Sequence, residues 1–120
     1  MSRFIANEDG TTTDTKTGLA WSKTIAKSIN FKAAEQQVSE LGEGWRIPTD
    51  HELLSIVDRS RHNPAIETEF FPDTESDWYW TSTPCAWNDA AVWVVLFGSG
   101  DVYHGPRNYN ACVRAVRSSQ

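Results

Sequence analysis

Two helical signals occupy the middle of this chain, and β-type sequence stands on both sides of them. Phe31, Ala34, Val38 and Leu41 recur at i, i+3, i+7 and i+10, one stripe of a 3.6-residue period. Asn30 can cap the start, and Gly42 can stop the helix by taking a left-handed conformation. A second start lies at Thr49-Asp50-His51-Glu52, which has the form of a capping box, with Pro48 fixing the entry. Leu53, Leu54, Ile56 and Val57 supply its buried face. This helix is expected to end near Arg61, because His62-Asn63-Pro64 cannot continue it.

The flanks read as strands. Arg3 to Ala6 leads into the turn Asn7-Glu8-Asp9-Gly10, then the β-branched Thr11-Thr12-Thr13. A second turn, Asp14 to Gly18, precedes a short strand at Leu19-Ala20-Trp21. Beyond Pro72, Trp78 to Thr83 is dense in aromatic and β-branched residues, and Ala91 to Phe97 is almost continuously apolar. Gly98-Ser99-Gly100-Asp101 forms a hairpin turn, with Val102-Tyr103-His104 starting the return strand. Val113-Arg114-Ala115-Val116-Arg117 alternates like a half-buried strand. The expectation is an α+β fold in which the N- and C-terminal strands meet.

No repeat or linker divides the sequence, so residues 1–120 are treated as one domain. Sixteen acidic against eleven basic residues give a net charge of −5, which disfavours binding to a phosphate backbone. No window is apolar enough to insert into a membrane. Glu8 and Asp9 follow Met1-Ser2-Arg3-Phe4-Ile5-Ala6-Asn7 before an apolar signal region could form. That predicts no signal peptide, hence a cytoplasmic or phage-particle protein. Cys85 and Cys112 are either two reduced thiols or one staple; they are too few for a disulfide scaffold.

Several segments together carry a resemblance. Gly10-Thr11-Thr12-Thr13-Asp14-Thr15-Lys16-Thr17-Gly18-Leu19-Ala20-Trp21 is similar to an opening of the form GTVTDxxTGLMW, and Gly44-Trp45-Arg46-Ile47-Pro48-Thr49-Asp50-His51-Glu52-Leu53 to WRLPTxxEL. Phe71-Pro72 with Tyr79-Trp80-Thr81-Ser82-Thr83 resembles FP…YWSST, and Val113 to Arg117 resembles a closing VRxVR. These motifs, in this order, resemble the bacterial domain at the C-terminus of the collagen-like adhesin Lcl. The resemblance implies a C-type-lectin-like fold: two helices on a twisted, mainly antiparallel sheet, adjacent termini, and an irregular surface carrying the ligand site. It also implies binding of glycans or protein receptors, without a catalytic motif. Family members often carry one Cys in the first helix and another within VRCVR; here that helix has none and Ala115 takes the second position.

The residues themselves offer little chemistry. His51, His62 and His104 are widely spaced and unaccompanied by other metal ligands. No phosphate loop, nucleophile elbow or HExxH occurs, and no cofactor is implied. Formylglycine-generating enzymes share the broad fold class but rely on a close cysteine pair. Enzymatic activity is therefore not expected. Trp87-Asn88-Asp89 matches a triplet whose Asn and Asp oxygens bind Ca²⁺ in calcium-dependent lectins. The upstream Glu-Pro-Asn or Gln-Pro-Asp partner is missing, however, and coincidence in a loop is the alternative.

From Ser82 to Cys112 there is no Lys, Glu, Gln or Met. Tyr103-His104-Gly105-Pro106-Arg107-Asn108-Tyr109-Asn110-Ala111-Cys112 follows neither a strand period nor a turn pattern. Each of these residues has a codon ending in C, reachable from AAC by changing adenines alone. Diversity-generating retroelements leave this pattern in variable proteins of C-type-lectin-like fold; an ordinary polar loop is the alternative. Either way this stretch is the candidate binding face. Its predicted site is Trp87, Asn88, Asp89, Asp101, Tyr103, His104, Arg107, Asn108, Tyr109 and Asn110, with Asn88 and Asp89 as the calcium candidates. Aromatic anchors with Arg and Asn suit a paratope. From residue 85 onward Asp89 and Asp101 oppose Arg107, Arg114 and Arg117, a net +1 against −6 for the rest, which suits a neutral or mildly anionic ligand. The expected partner is a protein receptor; the alternatives are a sulfated glycan or an intracellular target of a phage-type inhibitor. Oligomeric state is left open. Trp21, Trp45, Trp80 and Trp93 are expected in the core and Trp87 at the surface.

Overall fold

One seven-stranded sheet organises the protein, which a computed structural model describes over residues 3–119; Met1, Ser2 and Gln120, including the first residues of the expected leaderless start, lie outside the described residues. The strands are β1 (Phe4–Ala6), β2 (Thr12–Asp14), β3 (Leu19–Ile29), β4 (Trp78–Cys85), β5 (Asn88–Leu96), β6 (Asp101–Pro106) and β7 (Ala111–Ser118). Helices α1 (Phe31–Ser39) and α2 (Asp50–Leu54) fall between β3 and β4. The sheet order is β1-β2-β3-β7-β4-β5-β6, antiparallel except where β4 meets β7. The α+β class is as expected. No described helix is long and apolar enough to cross a membrane.

The last strand in sequence is central in space. Its side chains alternate between two cores: Cys112 and Val116 join Phe4, Trp21, Leu53, Ile66, Phe71, Tyr79, Val95 and Phe97 on one face. Ala111, Val113 and Ala115 join Phe31, Ala34, Val38, Ile47, Trp80, Val92 and Val94 on the other. Each helix therefore covers one face, α1 through Phe31, Ala34 and Val38 and α2 through Leu53. The half-buried strand expected at Val113–Arg117 is buried from Ala111 through Val116, because neighbours flank it on both edges and both faces. The N- and C-terminal strands meet as expected, Leu19, Ala20 and Trp21 of β3 pairing with Ser118, Arg117 and Val116, while β1 lies two strands further out.

Both helix starts are capped as their residues predict, whereas α1 ends at Ser39 and leaves Leu41, expected in its buried stripe, outside the helix and exposed. The Asn30 side chain accepts from the Ala33 N–H at 2.9 Å, and Gly42 sits at φ 107° past the end of α1. Thr49 and Glu52 form the reciprocal capping box of α2. That helix stops at Leu54, well short of Arg61. Asp58 takes the Ser60 N–H at 3.0 Å and hydroxyl at 2.6 Å in an Asx turn, and its own N–H pairs with the Ala65 carbonyl at 2.7 Å. Local side-chain bonding has displaced the next helical turn. The short strand expected at Leu19–Trp21 instead runs to Ile29, with three register irregularities against β7 and Ser28 in the left-handed region at φ 57°. Those irregularities erase the two-residue period in Ser22–Ser28.

Arg114 is the unusual core residue, at 1% exposure. Its Nη2 pairs with Asp73 Oδ1 at 2.8 Å, and its guanidinium lies over the Phe71 and Tyr79 rings at 5.0 and 5.8 Å. The other Asp73 oxygen accepts the Thr24 N–H at 2.6 Å, while Thr24 Oγ1 and Tyr79 Oη are 2.7 Å apart. One carboxylate thus ties the loop after Pro72 to β3 and β7. Burial lowers the Arg114 pKa, opposed by Tyr79 and Asp73. Cys85 and Cys112 are both buried and unpaired, and burial, with Asp77 nearby, pushes the Cys112 thiol up to about 11.

Candidate functional site: an aromatic face on the terminal hairpin

The β5–β6 hairpin lies at one end of the sheet, so β6 has a neighbour on a single side. Its cross-strand register places Trp93 opposite His104 and Val94 opposite Tyr103. Successive side chains point to opposite faces, and two aromatic clusters result. On one face Trp87, Trp93 and His104 meet edge to face, with centroids 5.3–5.7 Å apart. On the other, Tyr103 packs edge-on against Trp78 at 4.8 Å beside a cleft of about 300 Å³. Trp78, Trp80, Val94, Tyr103, Tyr109 and Asn110 line that cleft. None of the six is charged, and Tyr109 and Asn110 reach it from the turn between β6 and β7.

The hairpin is held rigidly. Gly100 sits at φ 88°, where an added Cβ would come within 2.8 Å of Val57, and its carbonyl accepts from Arg59 at 2.8 Å. At the other end Arg107 Nη1 donates to the Asp89 carbonyl, the Arg107 N–H reaches the Ala90 carbonyl at 2.9 Å, and its guanidinium lies over Phe31. The Trp80 indole N–H donates to the Ile29 carbonyl at 2.8 Å, fixing the cleft floor to β3.

The ten residues singled out by sequence divide into groups. Trp87 and His104 share one ring cluster, and Tyr103, Tyr109 and Asn110 share the cleft, which His104 also borders. Asp89 and Arg107 are joined, and Asn108 lies with Arg107 beside Asn30 and Lys32 in a shallow groove. Asp101 stands apart at the hairpin tip, bonded to the Ser99 hydroxyl at 2.7 Å. Asn88 and Asp89 do not assemble a calcium cage. Asn88 Oδ1 is taken by the Ala90 N–H at 3.0 Å, Arg107 holds the Asp89 carbonyl, and no group of three His, Cys, Asp or Glu side chains forms among the described residues.

The expected charge balance also changes. Arg114 is buried against Asp73, and Arg117 lies over Trp45 at 4.9 Å, so the exposed face keeps Asp89, Asp101 and Arg107. The ten site residues alone carry net −1, Asp89 and Asp101 against Arg107. Trp93, expected in the core, and Trp78, absent from the expected site, are both half-buried members of the aromatic clusters. Trp45 is half-buried as well, whereas Trp21 and Trp80 are core residues. The alternation across β4 and β5 was the available signal, hidden because Ala91–Phe97 reads as continuously apolar. The erratic stretch at Tyr103–Cys112 proves to be β6, a turn and the start of β7. An edge strand with exposed side chains needs no clean hydrophobic period.

A seven-stranded α+β scaffold that presents exposed aromatic rings on a braced hairpin has the form of a recognition domain. Residues 10–117 match the Lcl C-terminal domain family model, and the chain belongs to that family. The membership supports a ligand-binding or recognition role and names no partner. No curated protein matches the sequence.

Proposed function

We propose that this is a non-catalytic recognition domain of C-type-lectin-like architecture that binds a protein receptor through the β5–β6 hairpin and the turn at residues 107–110. The observation that carries this reading is the exposure of Tyr109 at 66% and Tyr103 at 47% beside the cleft, with Trp87 at 69% on the opposite face of the same braced hairpin and its flanking turns. Large rings held in place lose little entropy on binding, and the uncharged cleft can receive an apolar or aromatic side chain of the partner. Arg107, Asn108 and Asn110 supply directed hydrogen bonds at the rim. A sulfated glycan fits less well, since Arg107 is the one cation among the site residues and Asp89 and Asp101 oppose it.

Diversification of this stretch belongs to the same reading. Residues 103–110 are exposed or half-buried and can vary without disturbing the core, whereas Ala111 and Cys112 are buried. Sequencing the gene and its flanking DNA in several isolates tests this part. Substitutions at template adenines within codons 103–110 are expected; uniform sequence with no template repeat removes diversification from the proposal. The binding claim is tested by screening the immobilised protein against receptor proteins and a sulfated-glycan array. The expected outcome is a protein ligand whose affinity falls at least about tenfold on Trp87→Ala or Tyr109→Ala. Glycan binding that weakens steeply with salt would replace the receptor with a polysaccharide.

A further inference from the structure

We infer that the open edge of β6 pairs with the β6 of a second copy of this chain, forming a two-fold dimer that continues the sheet. The register identifies which backbone groups are free. Arg107 and Ala90 face each other and are hydrogen-bonded, so by alternation Gly105, Tyr103 and Asp101 also bond to β5. The N–H and C=O groups of Val102 and His104 therefore point away from the sheet. Pro106 has no N–H, and its carbonyl accepts from Tyr109 at 3.0 Å, which closes that end. At the other end Gly100 turns back, its N–H on the Leu96 carbonyl at 2.7 Å.

An edge with two free donors and two free acceptors can be matched by a strand carrying the same set. Among antiparallel self-pairings, only the one centred on Tyr103 satisfies all of them, because it sets Val102 of each copy against His104 of the other. Side chains at 101, 103, 105 and 107 share one face. The pairing thus places Tyr103 against Tyr103 at the two-fold axis and Asp101 over the side-chain-free Gly105. The diagonal neighbour of Asp101 is then Arg107 of the other copy, at both ends of the interface. Opposite charges meet twice, and no charged residue lies between Asp101 and Arg107 to blunt the edge. The pairing covers neither face of the β5–β6 hairpin, so the dimer sets two aromatic clefts side by side.

Sedimentation velocity from micromolar to millimolar protein, with hydrogen exchange at the same concentrations, tests the pairing. Dimer should form as concentration rises, with amide protection appearing at Val102 and His104, while Tyr103 and Gly105 are protected throughout. His104→Pro, which removes an outward donor, should weaken association at least about tenfold. Asp101→Arg should weaken it as well, and mixing that variant with Arg107→Asp should restore a mixed dimer without altering the edge backbone. A monomer at every concentration overturns the proposal, as does a dimer that leaves the Val102 and His104 amides exchanging freely. Protection of those amides only when a receptor is added also overturns it, in favour of a strand donated by the receptor.

Discussion

Arg114 and Asp73 set the stability problem at the scale of single residues. The guanidinium is buried, so its charge is tolerable only while the partly exposed Asp73 carboxylate stays beside it. Asp73→Ala should cost about 2 kcal/mol or more in thermal or urea unfolding. Adding Arg114→Met should recover part of that loss, since the uncompensated charge goes with it; fully additive losses would refute the coupling. Cys112 gives a second prediction. Buried, and with its pKa pushed up to about 11, it should resist thiol reagents in the native state and react on unfolding, as mass spectrometry of labelled protein would show. Neither property could be read from the sequence, where Arg114 sits in an alternating segment that looks half exposed. An ion pair that crosses 41 residues leaves no local signal.

Elements were legible where local chemistry decides them. Asn30, the Phe31–Val38 stripe and the Thr49–Glu52 box marked both helix starts because caps act within one turn. The end of α2 was missed because the Asp58 turn competes with helix continuation, and propensity alone cannot rank the two. The capping box makes a pH prediction. Hydrogen bonding from Arg46, opposed by burial and aided by the Thr49 N–H, lowers the Glu52 pKa from 4.5. A lowered folded-state value means that Glu52 contributes its stability above pH 4.5 and loses it as pH falls through the folded value. Glu52→Gln should lower the melting temperature at neutral pH and flatten the acid limb of a melting-temperature profile; an unchanged profile would deny the linkage. In the hairpin, Gly100→Ala should destabilise by at least about 1 kcal/mol, measured by calorimetry, because its left-handed φ and the nearby Val57 both oppose a Cβ.

The strand inventory was readable at the scale of the whole molecule, but the order was not. Turn residues at Asn7–Gly10 and Gly98–Asp101 announced their hairpins, whereas nothing in Val113–Arg117 says that it lies between β3 and β4. The candidate face was partly readable for the same reason: residues near Tyr103 are close in sequence, while Trp78 joins them only through β4–β5–β6 pairing.

The central place of β7 carries a consequence for synthesis on the ribosome. Strands β1–β3 and the β4–β6 meander share no strand pairing; they join through β7, which emerges after all the others. A nascent chain displayed up to Asn110 therefore holds two incomplete sheets with bare inner edges and two half-covered cores. Chaperone capture should be greatest at that length and should fall once Ala111–Ser118 clears the exit tunnel, when one closing segment fills both cores together.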